Sequence, residues 1–224
     1  MKTFELPSPL VPATAFPDGL LPVAALDKPL KVDIVIWEHM QTGYFVQLIL
    51  NGQLVDERRA KTEQEHPGDV MTLELAIEHL EHDGTYAFGY RATNDKSLQH
   101  TDAPSVQIKV DRAAPGATLL APLMFLGINF GDVLTAQVPG YADMAEGDTV
   151  QTLCNGTQGP AHRVSHDDLN TRPMQIDFSR EFLQGLNSAE IEFTYHVTDR
   201  AGNQSRLARP ARLTAKFENI PTLT

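Results

Sequence analysis

The chain has 224 residues, which is enough for two domains of ~100–150 residues each. Its formal net charge of −11 argues against a nucleic-acid partner and against an anionic membrane surface, because both are bound mainly through Lys and Arg. The 15 Gly and 15 Pro residues are scattered along the chain, which indicates many turns and few long helices.

Residues 1–19 are interpreted as an extended segment that precedes the first domain. In this segment one Lys is followed by apolar pairs that Pro residues interrupt, so we expect no Sec-type signal peptide. No stretch of the chain approaches the ~18 apolar residues of a membrane span, so we expect no membrane insertion. The single cysteine, Cys154, excludes an intramolecular disulfide but leaves the compartment open. We expect an extracellular or cell-surface location reached by a non-Sec route, with the cytoplasm as the alternative.

The sequence contains an internal duplication. Met40 to Gln53 aligns with Met144 to Thr157, and Thr85 to Thr93 aligns with Glu190 to Thr198. In these alignments the residues with identical counterparts are Met40, Gly43, Val46, Gln47, Asn51, Gly52, Phe88, Tyr90 and Thr93. Two matches in the same order and at nearly the same spacing predict two copies of one structural unit.

Each copy reads as a series of strands, because apolar residues alternate with polar ones. In the first copy the alternating runs are Leu30 to Ile36, Val46 to Leu50, Met71 to Ile77, Tyr86 to Ala92 and Val106 to Val110. In the second copy they are Leu134 to Val138, Val150 to Cys154, Met174 to Phe178, Ile191 to Val197 and Ala211 to Ala215. The second run of each copy ends in Asn-Gly, which is a strong hairpin signal. The pattern predicts an all-β chain of two tandem immunoglobulin-like β-sandwich domains arranged end to end.

Residues 20–111 form the predicted first domain, 112–116 a short linker, and 117–224 the second domain. A strand ends at Val110, and Pro115-Gly116 cannot continue a β-ladder. The only helical signal is a single turn in each copy, where Leu80 and Leu183 are predicted to enter the core.

At several motifs the chain resembles the bacterial tandem immunoglobulin-like repeats of large surface adhesins and related multi-repeat proteins. The motifs are "YHVTDRAGNQS" (Tyr195 to Ser205), "VDRAAPG" (Val110 to Gly116) and "YADMAEGDTVQTLCNG" (Tyr141 to Gly156). The resemblance covers nearly all of the chain after about residue 20 and implies the fold, whereas such repeats serve as spacers, stalks and binding tips alike. The first copy also carries "DGTYAF", which resembles an immunoglobulin tyrosine corner at Tyr86; the second copy has Ile191 there.

The turn from Asp199 to Asn203 joins the last two strands of the second copy. Gly202 is predicted to adopt a positive φ, and the Asp and Asn side chains to bond the backbone of the turn. The resemblance further implies calcium between the domains, bound by Asp83, Asp111, Asp199 and Asn203, since calcium takes six to eight oxygen ligands. In the alternative interpretation, Asp199 and Asn203 only shape the hairpin and Asp111 only ends a strand.

Other chemistry is weakly supported by the sequence. His79 and His82, and likewise His162 and His166, lack a legible third ligand for zinc, so we interpret them as solvated loop residues. "SHDD" (Ser165 to Asp168) contains the residue types of a hydrolase triad, but neighbours on an extended chain point to opposite faces. We therefore predict no catalytic residues.

Two further features have structural interpretations. Cys154 aligns with an inward position and is expected to be a buried, inert thiol. The charge run from Asp56 to His66 is typical of a solvated hairpin edge, which deters edge-to-edge pairing, and a partner-binding role for it stays open.

The sequence therefore predicts a non-enzymatic module that spaces or binds, with calcium as the only cofactor considered. We expect a monomer whose protein or glycan partner is unknown. An accessory protein that binds one protein partner is the alternative; a carbohydrate-binding module and a hydrolase with an unrecognised site are remote alternatives.

Overall fold

The computed structural model describes residues 5–14, 16–127, 131–170 and 173–214. It divides into two compact units, Met1–Arg112 and Ala113–Thr224. Both units are β-sandwiches with immunoglobulin-like strand order, which confirms the predicted fold class. Among the described residues, no helix is long and apolar enough to cross a membrane.

The first domain contains seven strands among its described residues. They are β1 (Leu30–Val35), β2 (Tyr44–Leu50), β3 (Gln53–Ala60), β4 (Val70–Leu75), β5 (Gly84–Asn94), β6 (His100–Asp102) and β7 (Val106–Val110). One sheet pairs β1 with β4; the other has the order β3-β2-β5, and β6 and β7 both pair with β5. These strand pairings are all antiparallel, and an isolated parallel bridge joins Leu20 to Lys109 of β7. Short 3-10 helices span Val23–Asp27 and Ile77–Leu80.

The described part of the second domain repeats this arrangement. Its strands are β8 (Met124–Phe125), β9 (Val133–Val138), β10 (Thr149–Cys154), β11 (Thr157–Arg163), β12 (Met174–Ser179), β13 (Glu190–Thr198) and β14 (Ala211–Thr214). The sheet orders are β12-β9-β8 and β11-β10-β13-β14. Two short helices, α1 (His166–Asn170) and α2 (Arg180–Gly185), connect strands. Ala215, which the sequence places in the last strand, lies outside the described residues.

The predicted alternation is confirmed, because it places one face of each strand in a core. Strand β4 alternates strictly between exposed and buried positions, and β12 does the same in the second domain. Each domain has its own hydrophobic core, built from both of its sheets. Leu80 and Leu183 are buried in these two cores, as predicted from the single helical turns.

The Asn-Gly turns explain two of the identities between the copies. Asn51 and Asn155 have φ of 49° and 48°, and the glycines that follow also have positive φ, as a two-residue hairpin requires. In addition, Asn51 Oδ1 accepts a hydrogen bond from Ala87 N at 2.9 Å, and Asn155 Oδ1 accepts one from Glu192 N at 2.8 Å. In each domain the asparagine side chain therefore adds a hydrogen bond between the hairpin and the central strand, β5 or β13. An alanine at this position could not make that bond.

The matched glutamines stabilise an irregularity in the edge strands. The register of β2 with β3 shifts by two residues between Val46 and Leu48, and that of β10 with β11 shifts by one residue between Gln151 and Leu153. Gln47 Nε2 donates to Asp56 O, and Gln151 Nε2 donates to Gly159 O, both at 2.8 Å. Each glutamine thus satisfies a carbonyl that the bulge removes from the ladder.

The described part of residues 1–19, predicted to be an extended segment before the first domain, packs against that domain. Leu6 and Val11 lie in its core, and Leu10 forms a β-bridge with Asp33 of β1. The prolines of this segment remove backbone donors, and among its described residues a single isolated bridge forms where the second domain has β8 paired with β9.

A tyrosine fixes the corresponding segment in each domain. Tyr90 Oη donates to Pro7 O at 2.8 Å, and Tyr195 Oη donates to Ala121 O at 2.9 Å. Tyr86 forms the predicted tyrosine corner, because its hydroxyl donates to His82 O at 2.7 Å. The second domain has the buried Ile191 at the corner position instead.

Candidate functional site

The turn from Asp199 to Asn203 has the predicted geometry. Gly202 has a φ of 94°. Asp199 accepts hydrogen bonds from Asn203 N and Asn203 Nδ2, both at 2.8 Å, and Asp199 N donates to Asn203 O at 3.0 Å. Asn203 is buried, with 8% of its surface exposed. The Asp199 side chain therefore bonds the backbone of the turn after β13, as predicted, and the Asn203 amide bonds the Asp199 carboxylate.

Asp83 and Asp111 lie in the first domain, where the start of β5 pairs with the end of β7. Asp83 Oδ1 accepts a hydrogen bond from Arg112 N at 2.7 Å, and Arg112 Nη2 donates to Leu80 O at 3.1 Å. Asp83 therefore fixes the backbone that leaves the domain. Asp111 directly follows the last residue of β7, Val110.

The four proposed calcium ligands are divided between the domains, two in each. Within one domain, two side chains fall short of the six to eight oxygens that calcium takes. Among the described residues, no three His, Cys, Asp or Glu side chains form a group that could hold a metal ion. Calcium at these residues thus stays a prediction that requires ligands from both domains.

The residues of the "SHDD" motif meet, but not in the order of a hydrolase triad. The start of α1 folds Asp168 back, so that its Oδ2 accepts hydrogen bonds from Ser165 Oγ at 2.7 Å, from Ser165 N at 2.7 Å and from His162 Nε2 at 2.9 Å. In a triad the imidazole lies between the hydroxyl and the carboxylate. Here the carboxylate lies between the other two, so the cluster does not have the order of a triad; Asp168 N also donates to Ser165 Oγ at 3.4 Å, which caps the start of α1.

The Asp168 carboxylate is stabilised in its charged form. Partial burial raises its pKa, but the hydrogen bonds from the Ser165 backbone, His162 and Ser165 Oγ outweigh this effect and lower the pKa to about 2. A carboxylate with so low a pKa is a poor proton acceptor near neutral pH. The arrangement therefore suits a structural role.

A second His–Asp contact lies at the bulge of β3. Asp56, with a φ of 55°, accepts a hydrogen bond from Ala76 N at 3.2 Å, and its other oxygen lies 3.2 Å from His79 Nε2. From the sequence, His79 and His162 are interpreted as solvated loop residues. In the structure each of them contacts an aspartate instead, His79 with Asp56 and His162 with Asp168. The partners are distant in sequence or separated by a turn, which local patterns do not reveal.

The sequence does not predict that Asp148 of the second domain is buried. Asp148 is 1% exposed; its Oδ2 accepts hydrogen bonds from Tyr141 Oη at 2.8 Å and from Ala145 N at 3.0 Å. The only signal for it is the turn sequence Ala145 to Asp148, because aspartate commonly bonds the backbone of a turn.

Cys154 is a buried thiol, as predicted. It is fully buried on β10, and burial raises its pKa to about 12. The thiolate that reacts with oxidants or electrophiles is therefore scarce at neutral pH.

Similarity to known proteins is found among solved structures. No protein-family model matches the chain, and no curated protein sequence matches it. The fibronectin(III)-like modules of Clostridium thermocellum CbhA are similar in structure, with a TM-score of 0.44 and 12% sequence identity, over 85% of this chain and 86% of that chain. The fold assignment rests on the strand order and register of this chain.

Asp168→Asn is expected to destabilise the second domain by about 1–2 kcal/mol at neutral pH, because it replaces a charged acceptor of three hydrogen bonds. Since folding lowers the Asp168 pKa to about 2, its stabilising contribution is present above the pKa of an unfolded aspartate, about 4, and is lost as the pH falls through about 2. Urea unfolding at a series of pH values measures this. The neighbouring variant Asp167→Asn is the control and should change stability little; equal effects of the two variants at every pH would contradict the assignment.

If calcium binds residues of both domains, the melting temperature in millimolar calcium should exceed that in EDTA, because an ion that binds only the folded state stabilises it. The difference should be lost in Asp111→Ala and in Asp199→Ala. Equal melting temperatures in calcium and EDTA for the unmodified chain would refute the ion.

Proposed function

We propose that the chain is a non-enzymatic, tandem immunoglobulin-like module that acts as a spacer or binding unit, as in bacterial surface proteins of the adhesin type. The observation that carries this proposal is the use of the loop carboxylates. Asp83, Asp168 and Asp199 each accept a hydrogen bond from a backbone N–H of their own domain. Side chains that could otherwise perform acid–base chemistry are engaged in fixing turns.

The repetition of structural contacts supports the same proposal. The hairpin asparagine, the bulge glutamine and the buried tyrosine make equivalent hydrogen bonds in both domains. What the two copies share is thus the set of contacts that closes a sandwich. A spacer needs a stable repeated domain, whereas its loops can vary in sequence. The two copies fit this requirement, because they share the hydrogen bonds that stabilise the sandwich and differ in their loops.

An accessory protein that binds one protein partner is the second candidate. It is favoured by exposed large apolar side chains on both domains, among them Leu98 and Leu207. Leu98 also lines a cavity together with Phe45 and Ala60, so its exposed side chain is part of an apolar surface of the kind that protein-binding sites use.

Sedimentation equilibrium over a wide range of protein concentration tests the spacer proposal. A spacer should sediment as a single species with the mass of one chain at every concentration, because it has no surface built to associate with itself. A stable dimer would overturn the spacer proposal and favour the accessory protein. Omitting and adding calcium in parallel samples controls for association that the ion induces.

A further inference from the structure

The first domain has a small cavity at the end of its larger sheet. The cavity has a volume of about 370 Å³ and is lined by Phe45, Arg58, Ala60, Asp95 and Leu98. Phe45 and Ala60 are opposite each other in the ladder of β2 with β3. Asp95 and Leu98 belong to the turn between β5 and β6. The lining thus combines apolar walls with one cationic and one anionic side chain.

Arg58 is held in position by an aromatic ring. Its guanidinium carbon lies 4.7 Å from the centre of the Phe45 ring, within the range of a cation–π contact. Arg58 is exposed, and within the described parts of the chain no carboxylate forms an ion pair with it. Its fork of N–H donors is therefore oriented and available to a carboxylate from outside.

Leu98 carries two unfavourable features at once. Its φ is 57°, a left-handed conformation that costs a bulky residue roughly 1 kcal/mol relative to glycine. Its side chain is also 70% exposed. The turn is nevertheless well ordered by hydrogen bonds, since Asn94 O accepts from Leu98 N at 2.9 Å and Asn94 Oδ1 accepts from Lys96 N and Ser97 N. A glycine or asparagine would serve the turn better, so the conformation of the turn does not itself explain the leucine.

The charges around the cavity restrict the occupant. Arg58 favours one carboxylate, whereas Asp95, exposed at the same cavity, disfavours a second one nearby. The net charge of −11 also repels a strongly acidic partner. The remaining apolar lining, Phe45 and Leu98, favours an apolar side chain next to the single carboxylate.

We propose that this cavity binds a segment of a partner protein in which one aspartate or glutamate neighbours an apolar side chain. The carboxylate pairs with Arg58, and the apolar side chain packs against Leu98 and Phe45. This inference rests on the binding role in the proposed function and names the surface and the partner chemistry for it.

The test is titration of the isotope-labelled full chain with two short capped peptides, acetyl-Gly-Asp-Leu-Gly-amide and acetyl-Gly-Asn-Leu-Gly-amide, followed by NMR. Millimolar aspartyl peptide should shift the amide resonances of Phe45, Arg58 and Leu98. The asparaginyl peptide should bind about fivefold more weakly or worse, because it lacks the charge-assisted pair. No shift at these residues, or equal binding of both peptides, would overturn the proposal.

Two variants separate binding from folding. Leu98→Gly should leave the melting temperature unchanged or raised, because it relieves the backbone, yet weaken binding of the aspartyl peptide about tenfold. Leu207→Gly removes another exposed leucine, on the second domain, and should leave peptide binding unchanged. Undiminished binding by Leu98→Gly would contradict the assignment.

A second copy of the chain is the other candidate occupant. Shifts of the same resonances with protein concentration, in the absence of peptide, would assign the cavity to self-association and overturn the peptide proposal. If neither peptide binds and the chain sediments as a monomer, the cavity assignment fails while the spacer function stands.

Discussion

Each domain closes around a tyrosine whose hydroxyl is buried between the sheets. Tyr90 and Tyr195 lie on the central strands β5 and β13 and have no exposed surface. Burial raises the pKa of both phenols, that of Tyr195 to about 12, so both remain proton donors at neutral pH. A buried hydroxyl without an acceptor costs on the order of 1–3 kcal/mol. The carbonyls that satisfy them come from the N-terminal segment of each domain, which is thereby drawn onto the sandwich.

Several other features follow from that closure. When the N-terminal segment docks, it brings Leu6 into the first core and Leu120 into the second. It also covers the outer edge of the smaller sheet, through the Leu10–Asp33 bridge in the first domain and through β8 in the second. The loops are then free to differ between the copies, because the contacts that define the sandwich lie elsewhere.

The sequence predicts the strands well, and the reason is physical. Burial on one face imposes the alternation from Leu30 to Ile34 and from Leu134 to Val138, and the Asn-Gly pairs require the left-handed backbone that a two-residue hairpin uses. The repeat also marks Gln47 and Tyr90 as shared with the second copy, although it does not reveal that one bonds a bulge and the other an N-terminal carbonyl.

The contacts of the candidate sites were less predictable. The prolines before Leu20 interrupt the alternation, so nothing local shows that the segment packs on the domain. The cluster of His162, Ser165 and Asp168 depends on the turn into α1, and the pairing of Asp56 with His79 depends on tertiary structure. The Phe45–Arg58 contact likewise follows from the ladder register of β2 with β3, which shifts by two residues between Val46 and Leu48. The sequence therefore shows which polar and charged residues are present, but it does not show which residues they contact in the folded domain.

The measurement that tests the closure most directly is the stability of Tyr195→Phe, which removes one hydroxyl and preserves the ring. If the hydroxyl fixes the N-terminal segment of the second domain, urea unfolding of that domain should show a loss of about 1–2 kcal/mol, and amide exchange in β8 and β9 should accelerate while exchange in the first domain stays unchanged. Unaltered stability together with unaltered protection of β8 would contradict the claim that this hydrogen bond closes the sandwich.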